Sequence, residues 1–563
     1  MAVPWPRLQY SDGRYRNWLG GGTRYGEALL GYALLETGIR ERRARYVTAG
    51  LRSVTWAVTR PQGFRDRESV FENMAVAGAY NFARQRLRGD RRFQRVRGRW
   101  ASFLRRVTPV SLFYYSPDNP RFGNHYIIEA IGMLELFRTG LRSDRPAAAL
   151  GGQRARARAG TLRLLLSTIP RLASRGASRA AGAQTFVLSD RPDSPLAYQG
   201  LSVGAYARAL DLLGGATTRR AREVLQQAAR ASWVLTAPDG DSGYFGRSQE
   251  EAWSLAGAAL GAEAAARDRR SSPGWDRRFR AVSERSLIRL RDDYGVGGNG
   301  LFIVPALRAG KLGGRGVDGS PVPAFAGLTL VLTEWALEEM DRGPRRAGAL
   351  AADRELRALV GSGEARFAVV RRGPVWMAVR KTKSVDQAGD LRYDFGLVAF
   401  KGRRGGRWSD VLRIRPRQTV GRDSAGPLLR RGGATGLPFG ERIAVSRSGA
   451  VTVRGGFRTP GGRVLRRGVR FTFRPAGACV RVAVPARRGD RVEQSVFLRA
   501  GSGTRRIGTR SLRDADQAIT ASAPFRATIG GRYTSAVDAK LVRARLRFTA
   551  RRNGRIEIAI CPG

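Results

Sequence analysis

Apolar residues recur at three- and four-residue spacing through the first part of the chain, to about Gly343. The pattern predicts helices over Gly26–Ile39, Tyr46–Val58, Val70–Leu87, Phe93–Val107, Tyr126–Leu141 and Gly160–Leu172. It continues over Leu201–Leu213, Ala221–Leu235, Ala252–Ala266, Phe279–Asp292 and Gly327–Met340. Clusters of Gly, Pro, Asp and Ser punctuate these segments at Arg60–Phe64, Ser116–Pro120 and Ser189–Pro195. Helices in such a row need an architecture that buries one stripe of each, and stacked helical hairpins do so as an open solenoid or a closed toroid. Closure itself leaves no mark on the pattern.

Beyond Ala347–Arg357 the period shortens to two. Phe367–Arg380 alternates around a Gly-Pro break and predicts two strands. Further strand-like runs are Tyr393–Phe400, Ile443–Ser446, Val451–Val453, Val469–Phe473, Val480–Val484, Val496–Leu498, Leu546–Thr549 and Ile556–Cys561. Asn553-Gly554, between the last two, is the signature of a two-residue hairpin turn. The fold class read from these periods is α then β. The expectation is an α/α toroid, complete or incomplete, over residues 1–345, followed by an antiparallel β-sandwich over 346–563.

The chain has 563 residues, too many for one hydrophobic core, and 42% apolar content fits globular folding. Charge changes the picture more. Lys and Arg number 101 against 46 acidic residues, a net charge of +55. Such a field gathers polyanions: nucleic acid, acidic polysaccharide or an anionic membrane surface. The arginines are spread over both halves, and no nucleic-acid module is recognisable, which argues against nucleic acid. No apolar run is long enough to span a membrane, and Met1–Tyr10 lacks a signal-peptide pattern. His125 is the sole histidine, which argues against His-rich metal sites. Cys479 and Cys561 can make at most one disulfide, or remain two buried thiols.

Three clusters carry candidate chemistry. In RFGNHYIIE (Arg121–Glu129), Asn124 and His125 stand where a polar loop enters an apolar helix. A helix cap followed by a buried histidine would explain them. It would not explain why Tyr114, Tyr115, Asn119 and Tyr126 crowd the same stretch, a mixture of rings and amides suited to sugars. In SPLAYQGLSVGAY, Tyr198 follows a Pro/Asp-rich loop at a helix start. Tyr206, two turns on, reads first as core and second as a substrate contact. In DGDSGYFGRSQEEAW, Ser248 and Glu251 match a capping box with the helix beginning near Ser248. Tyr244 and Arg247 are left over, and Arg247 beside a helix N-terminus would make an anion site.

Together these motifs resemble the helical-toroid polysaccharide lyases, the group of hyaluronate, chondroitin, heparin and alginate lyases. The Asn-His of GNHYIIEAIGML is similar to that of the alginate and heparin branches, and AYQG (Ala197–Gly200) and GRS (Gly246–Ser248) to the hyaluronate branch. Their order along the chain also agrees. Some branches use a second histidine, which this chain lacks. The resemblance implies β-elimination on a uronic acid-containing polysaccharide, with no metal or other cofactor required. Asn124 and His125 would neutralise the carboxylate, Tyr198 would serve as base and acid, and Arg247 would assist it, with Tyr244 in reserve. The resemblance also implies secretion, with a leader outside this sequence, and a Cys479–Cys561 disulfide whose Cα atoms lie within about 7 Å.

Two other readings remain. A glycoside hydrolase would need facing carboxylates, for which Asp239, Asp241 and Glu250, with Glu68 or Glu72 opposite, are the candidates. A polyanion- or nucleic-acid-binding protein without catalysis would account for the charge alone.

Overall fold

The computed structural model describes residues 5–16, 25–60, 69–107, 124–142, 147–188, 194–246, 250–268, 271–296, 300–301, 322–343, 346–363, 366–381, 395–412, 427–499, 505–533 and 541–563. Helices α1 (Gly26–Arg40), α2 (Ala44–Thr59), α3 (Ser69–Arg86), α4 (Arg91–Arg106) and α5 (Asn124–Arg138) match the predicted segments closely. The predicted segment at Gly160–Leu172 lies within a longer element: α6 (Ala147–Arg163) runs through a π-helical stretch, Leu164–Thr168, into α7 (Ile169–Gly176). Then come α8 (Leu196–Leu213), α9 (Arg219–Leu235), α10 (Ala252–Arg267), α11 (Pro273–Arg289) and α12 (Val322–Asp341).

Helices α1, α3, α5, α8, α10 and α12 form a closed inner ring, each packed on the next and α12 back on α1. The sequence explains the sorting. α1, α8, α10 and α12 are apolar round their whole circumference, as a buried helix must be, whereas α2, α4 and α9 carry one apolar stripe and lie outside. Close approach in the ring depends on glycine. A Cβ on Gly200 of α8 would stand 2.1 Å from the Ser254 carbonyl oxygen of α10, and one on Gly257 would stand 2.6 Å from the Gly200 carbonyl oxygen.

Two short hairpins sit among the helices: β1 (Ser178–Ala180) with β2 (Ala183–Thr185), and β3 (Gly295–Val296) with β4 (Gly300–Leu301). A five-stranded antiparallel sheet follows, in chain order: β5 (Leu356–Val360), β6 (Phe367–Arg372), β7 (Val375–Arg380), β8 (Gly396–Arg404) and β9 (Arg407–Asp410). β6 and β7 form the hairpin expected around Gly373-Pro374. Alternate residues of this sheet enter different cores. Phe367, Val369, Trp376 and Ala378 join the toroid's core; Ala368, Val370, Met377 and Val379 join that of the sandwich. The five-stranded sheet is thus a middle layer, with its central strands β6, β7 and most of β8 buried on both faces.

The remaining strands are β10 (Leu428–Arg431), β11 (Ala434–Val445), β12 (Val451–Arg458), β13 (Val464–Ala476), β14 (Cys479–Ala486), β15 (Arg491–Arg499), β16 (Arg505–Ile507), β17 (Ser511–Arg513), β18 (Gln517–Ala521), β19 (Arg526–Tyr533), β20 (Leu541–Thr549) and β21 (Gly554–Pro562). They pair antiparallel in the order β16-β17-β18-β21-β14-β13-β12-β11-β10-β15-β20-β19. Side chains from both ends of this order meet in one core.

The Asn553-Gly554 hairpin is a correction. β20 pairs with β15 and β19, and β21 with β14 and β18, so the link between them crosses from one part of the sheet to another. Asn553 instead accepts a hydrogen bond from the Arg488 backbone, 3.0 Å away. A turn signal shows where a chain reverses, but burial of the strand faces chooses the partner. The expected Cys479–Cys561 disulfide is present, with Cα atoms 4.2 Å apart. The register explains it: Val480 lies opposite Ile560, which sets the two cysteines side by side.

Candidate active site

The six inner helices begin at one end of the ring, and each brings an aromatic ring or imidazole in or beside its first turn. Tyr25, preceding α1, stacks on Phe71 of α3, with centroids 4.7 Å apart. Phe71 meets His125 of α5 edge-on at 5.4 Å. Tyr198 of α8 leans on Trp253 of α10 at 5.1 Å, and Trp253 meets Phe325 of α12 at 6.3 Å. Gly26 presses on Pro323 and Ala324, which joins α12 to α1. At the opposite end Arg208 of α8 pairs with Glu135 of α5, 3.2 Å apart, so these neighbours run parallel and their first turns share one mouth. His125, Tyr126, Tyr198 and Phe325 remain partly exposed, while Tyr25, Phe71 and Trp253 are buried behind them.

Asn124, His125 and Tyr198 therefore stand on adjoining helices at the same mouth. Asn124 opens α5 and is buried. Tyr198 is held by a tight junction: Pro195 caps α8, the Leu196 amide donates to the Phe245 carbonyl at 2.9 Å, and Gly246 packs on Pro195. Ser194 and Glu250, either side of this contact, have φ of 51° and 57°, a strained region for residues with a side chain. Trp253, Phe325, Phe71 and Tyr25 escaped the sequence reading. The available signal was an aromatic residue within four positions of each inner helix start.

Other expectations fare differently. Tyr114, Tyr115, Asn119 and Arg247 lie outside the described residues, as do Glu68 and Ser248. Tyr206 is fully buried and donates to the carbonyls of Leu165 and Ala221, at 3.0 and 3.3 Å, so it is a packing residue and not a substrate contact. Tyr244 is fully buried edge-on against Trp376 of β7, 5.2 Å away, between toroid and sheet, where substrate does not reach. The capping box is also corrected. α10 starts at Ala252, and Glu251 caps it without a side-chain hydrogen bond, because the turn at Glu250 is not helical.

Asp239 and Asp241 belong to an ion cluster between the domains. Lys401 of β8 donates to Asp239 at 2.8 Å and Asp241 at 2.7 Å, and lies 3.0 Å from Asp410 of β9. Arg289 of α11 pairs with Asp239 at 2.7 Å and Glu250 at 3.1 Å. Tyr294 donates to the Glu250 carbonyl at 3.0 Å. Burial would raise the Asp239 carboxyl, but Arg289 and Lys401 outweigh it and hold it below its usual range. Burial pushes Asp410 up to about 6 despite Lys401. Burial opposes the charge on Lys401, yet the three aspartates raise its pKa. Three carboxylates this close could hold a metal ion, but the Lys401 ammonium already occupies the cationic position among them. Glu72 likewise pairs with Arg60 at 2.7 Å.

A cavity of about 840 Å³ lies at the other end of the ring, where Glu36, Arg40, Glu135, Arg208 and Glu334 line it. It contains none of the candidate residues. Among the described residues no helix is long and apolar enough to cross a membrane.

No protein-family model matches the sequence, and no curated protein does. Among solved structures the chain is similar to heparinase III, with a TM-score of 0.51 and 11% identity, covering 98% of this chain and 80% of that one. A second heparinase III gives 0.45 at 10% identity, covering 100% and 84%. An α-1,6-mannanase from Salegentibacter sp. HEL1_6 gives 0.38 at 12% identity, over 60% of this chain and 96% of that one. At such identities likeness speaks for fold alone. The architecture of this chain, a helical toroid followed by an antiparallel β-sandwich, is that of heparinase III.

Proposed function

We propose that the chain is a polysaccharide lyase that cleaves an acidic, uronic acid-containing polysaccharide by β-elimination. One observation carries the proposal: Asn124, His125 and Tyr198 occupy the first turns of adjoining helices α5 and α8, at one aromatic-rimmed mouth of the toroid. The C5 proton of a uronic acid becomes removable only when the neighbouring carboxylate is neutralised. The α5 N-terminus favours an anion, and the Asn124 amide and His125 imidazole add hydrogen-bond donors as charge develops. Tyr198 then takes the C5 proton, the C4=C5 double bond forms, the C4–O bond breaks, and the proton passes to the leaving oxygen. Arg247 would lower the Tyr198 pKa and hold the substrate. Rings on the rim give the sugar faces on which to stack, and the +55 net charge draws the polyanion in. Catalysis belongs to the toroid, residues 1–345, with the sandwich, 346–563, buttressing it. The disulfide suits an oxidising, extracellular setting.

The hydrolase reading is weaker, because Asp239, Asp241, Glu250 and Glu72 are engaged by Lys401, Arg289 and Arg60. Product analysis separates the two: elimination leaves a double bond that absorbs in the near ultraviolet, and hydrolysis does not. Tyr198→Phe should abolish turnover while sparing folding and most substrate binding. Asn124→Ala should slow turnover by roughly 10²–10³-fold. Near-normal lyase activity in Tyr198→Phe would sink the assignment of the base. Absence of unsaturated product from every uronic-acid polymer tried would sink the lyase itself.

A further inference from the structure

The large sheet carries charges on its outer face that have no ion pair among the described residues. In β11, β12 and β13, Ile443, Val453 and Phe471 lie opposite one another and enter the core. One residue along, Arg442 lies opposite Arg454, and Arg454 opposite Arg470. All three arginines are exposed. The two-residue period of a strand sets them on the solvent face, in one row across three strands about 4.8 Å apart.

Like charges directly opposite destabilise a sheet. Among the described residues none of the three arginines has an ion pair. The chain handles the same arrangement differently nearby. Arg474 lies opposite Arg481 across β13 and β14, and there Glu557 of β21 stands 3.4 Å from the first and 3.9 Å from the second. Among the described residues an acid within ion-pair distance is supplied at that pair and none at the row.

We infer that Arg442, Arg454 and Arg470 form a second binding surface, for a linear acidic polysaccharide. β11, β13 and β14 pack on the five-stranded sheet, which packs in turn on the toroid. The row therefore lies on the far side of the sandwich from the toroid and holds a long chain away from the mouth. Its surroundings suit sugar better than nucleic acid. Ala444, Thr452 and Thr472 share the face, offering hydroxyls and no aromatic rings on which bases would stack. A row across a sheet face also presents no helix or ribbon that enters a groove.

The choice of polymer rests on the lyase reading, but the test does not need turnover. Binding of long heparin chains, polyglucuronate and double-stranded DNA is measured against salt, in the Tyr198→Phe background. R442Q/R454Q/R470Q should weaken binding of an acidic polysaccharide by about tenfold or more and lower the salt slope by about 2–3. R474Q/R481Q, whose two charges Glu557 offsets in part, should stay within about twofold. The triple variant should melt no lower than the parent, since repulsion is relieved. If it melts lower, R442K/R454K/R470K replaces it and should keep the affinity. Unchanged binding in the triple variant, equal loss in R474Q/R481Q, or tighter binding of DNA than of either polysaccharide would overturn the inference. Absence of unsaturated product from the parent protein, with its Tyr198 intact, while the heparin or polyglucuronate binding result holds, would overturn only the proposed reaction.

Discussion

Lys401 is an ammonium with a fully buried side chain, and its hydrogen bonds go to carboxylates from two domains. Burying such a charge is costly unless its partners surround it, and here Asp239, Asp241 and Asp410 do. Removing it strands the acids. Lys401→Met should therefore cost about 3–5 kcal/mol, read as a lower midpoint in chemical denaturation. Adding Asp410→Asn should recover part of the loss, because one buried charge goes with it. No change in Lys401→Met would mean that the cluster contributes nothing net. The acidic residues and Lys401 are visible in the sequence, but their meeting is not, since 160 positions separate Asp241 from Lys401.

At the scale of elements, glycine sets how closely the inner helices approach. Gly200 and Gly204 of α8 face Gly257 and Gly261 of α10, each four residues apart. A Cβ on Gly257 would meet the Gly200 backbone at 2.6 Å, so Gly257→Ala should destabilise by about 1–3 kcal/mol through overpacking. Gly98 of α4 is the contrast, because nothing lies within 4 Å of its missing Cβ. Gly98→Ala should stabilise by about 0.5–1 kcal/mol, from helix propensity alone. Thermal melts of the two variants should shift in opposite directions. The same helices show why Tyr206 misled: its place on an apolar helix admits core or cleft, and only packing on Leu165 and Ala221 decides.

For the whole molecule, the middle sheet and the disulfide decide how the β-half holds together. The five-stranded sheet gives one face to each neighbour, so it is shared between two separate apolar cores, that of the toroid and that of the sandwich. The Cys479–Cys561 bond spans 82 residues of chain. Replacing both cysteines with alanine should lower stability by about 3–4 kcal/mol, chiefly by freeing the unfolded chain. A double variant that unfolds at the parent's midpoint would contradict this.

Sequence alone determined the two-part α-then-β order, the span of most helices and the β6–β7 hairpin, because periods of 3.6 and two follow from local geometry and burial. It also marked Asn124, His125 and Tyr198, since polar and aromatic residues at loop-to-helix junctions depart from what a core requires. Closure of the ring, the strand partners of β20 and β21, the burial of Tyr244 and the aromatic rim were decided only by tertiary structure. Each depends on which surfaces meet across long stretches of chain, and a hydrophobic pattern records that a face is buried without recording against what.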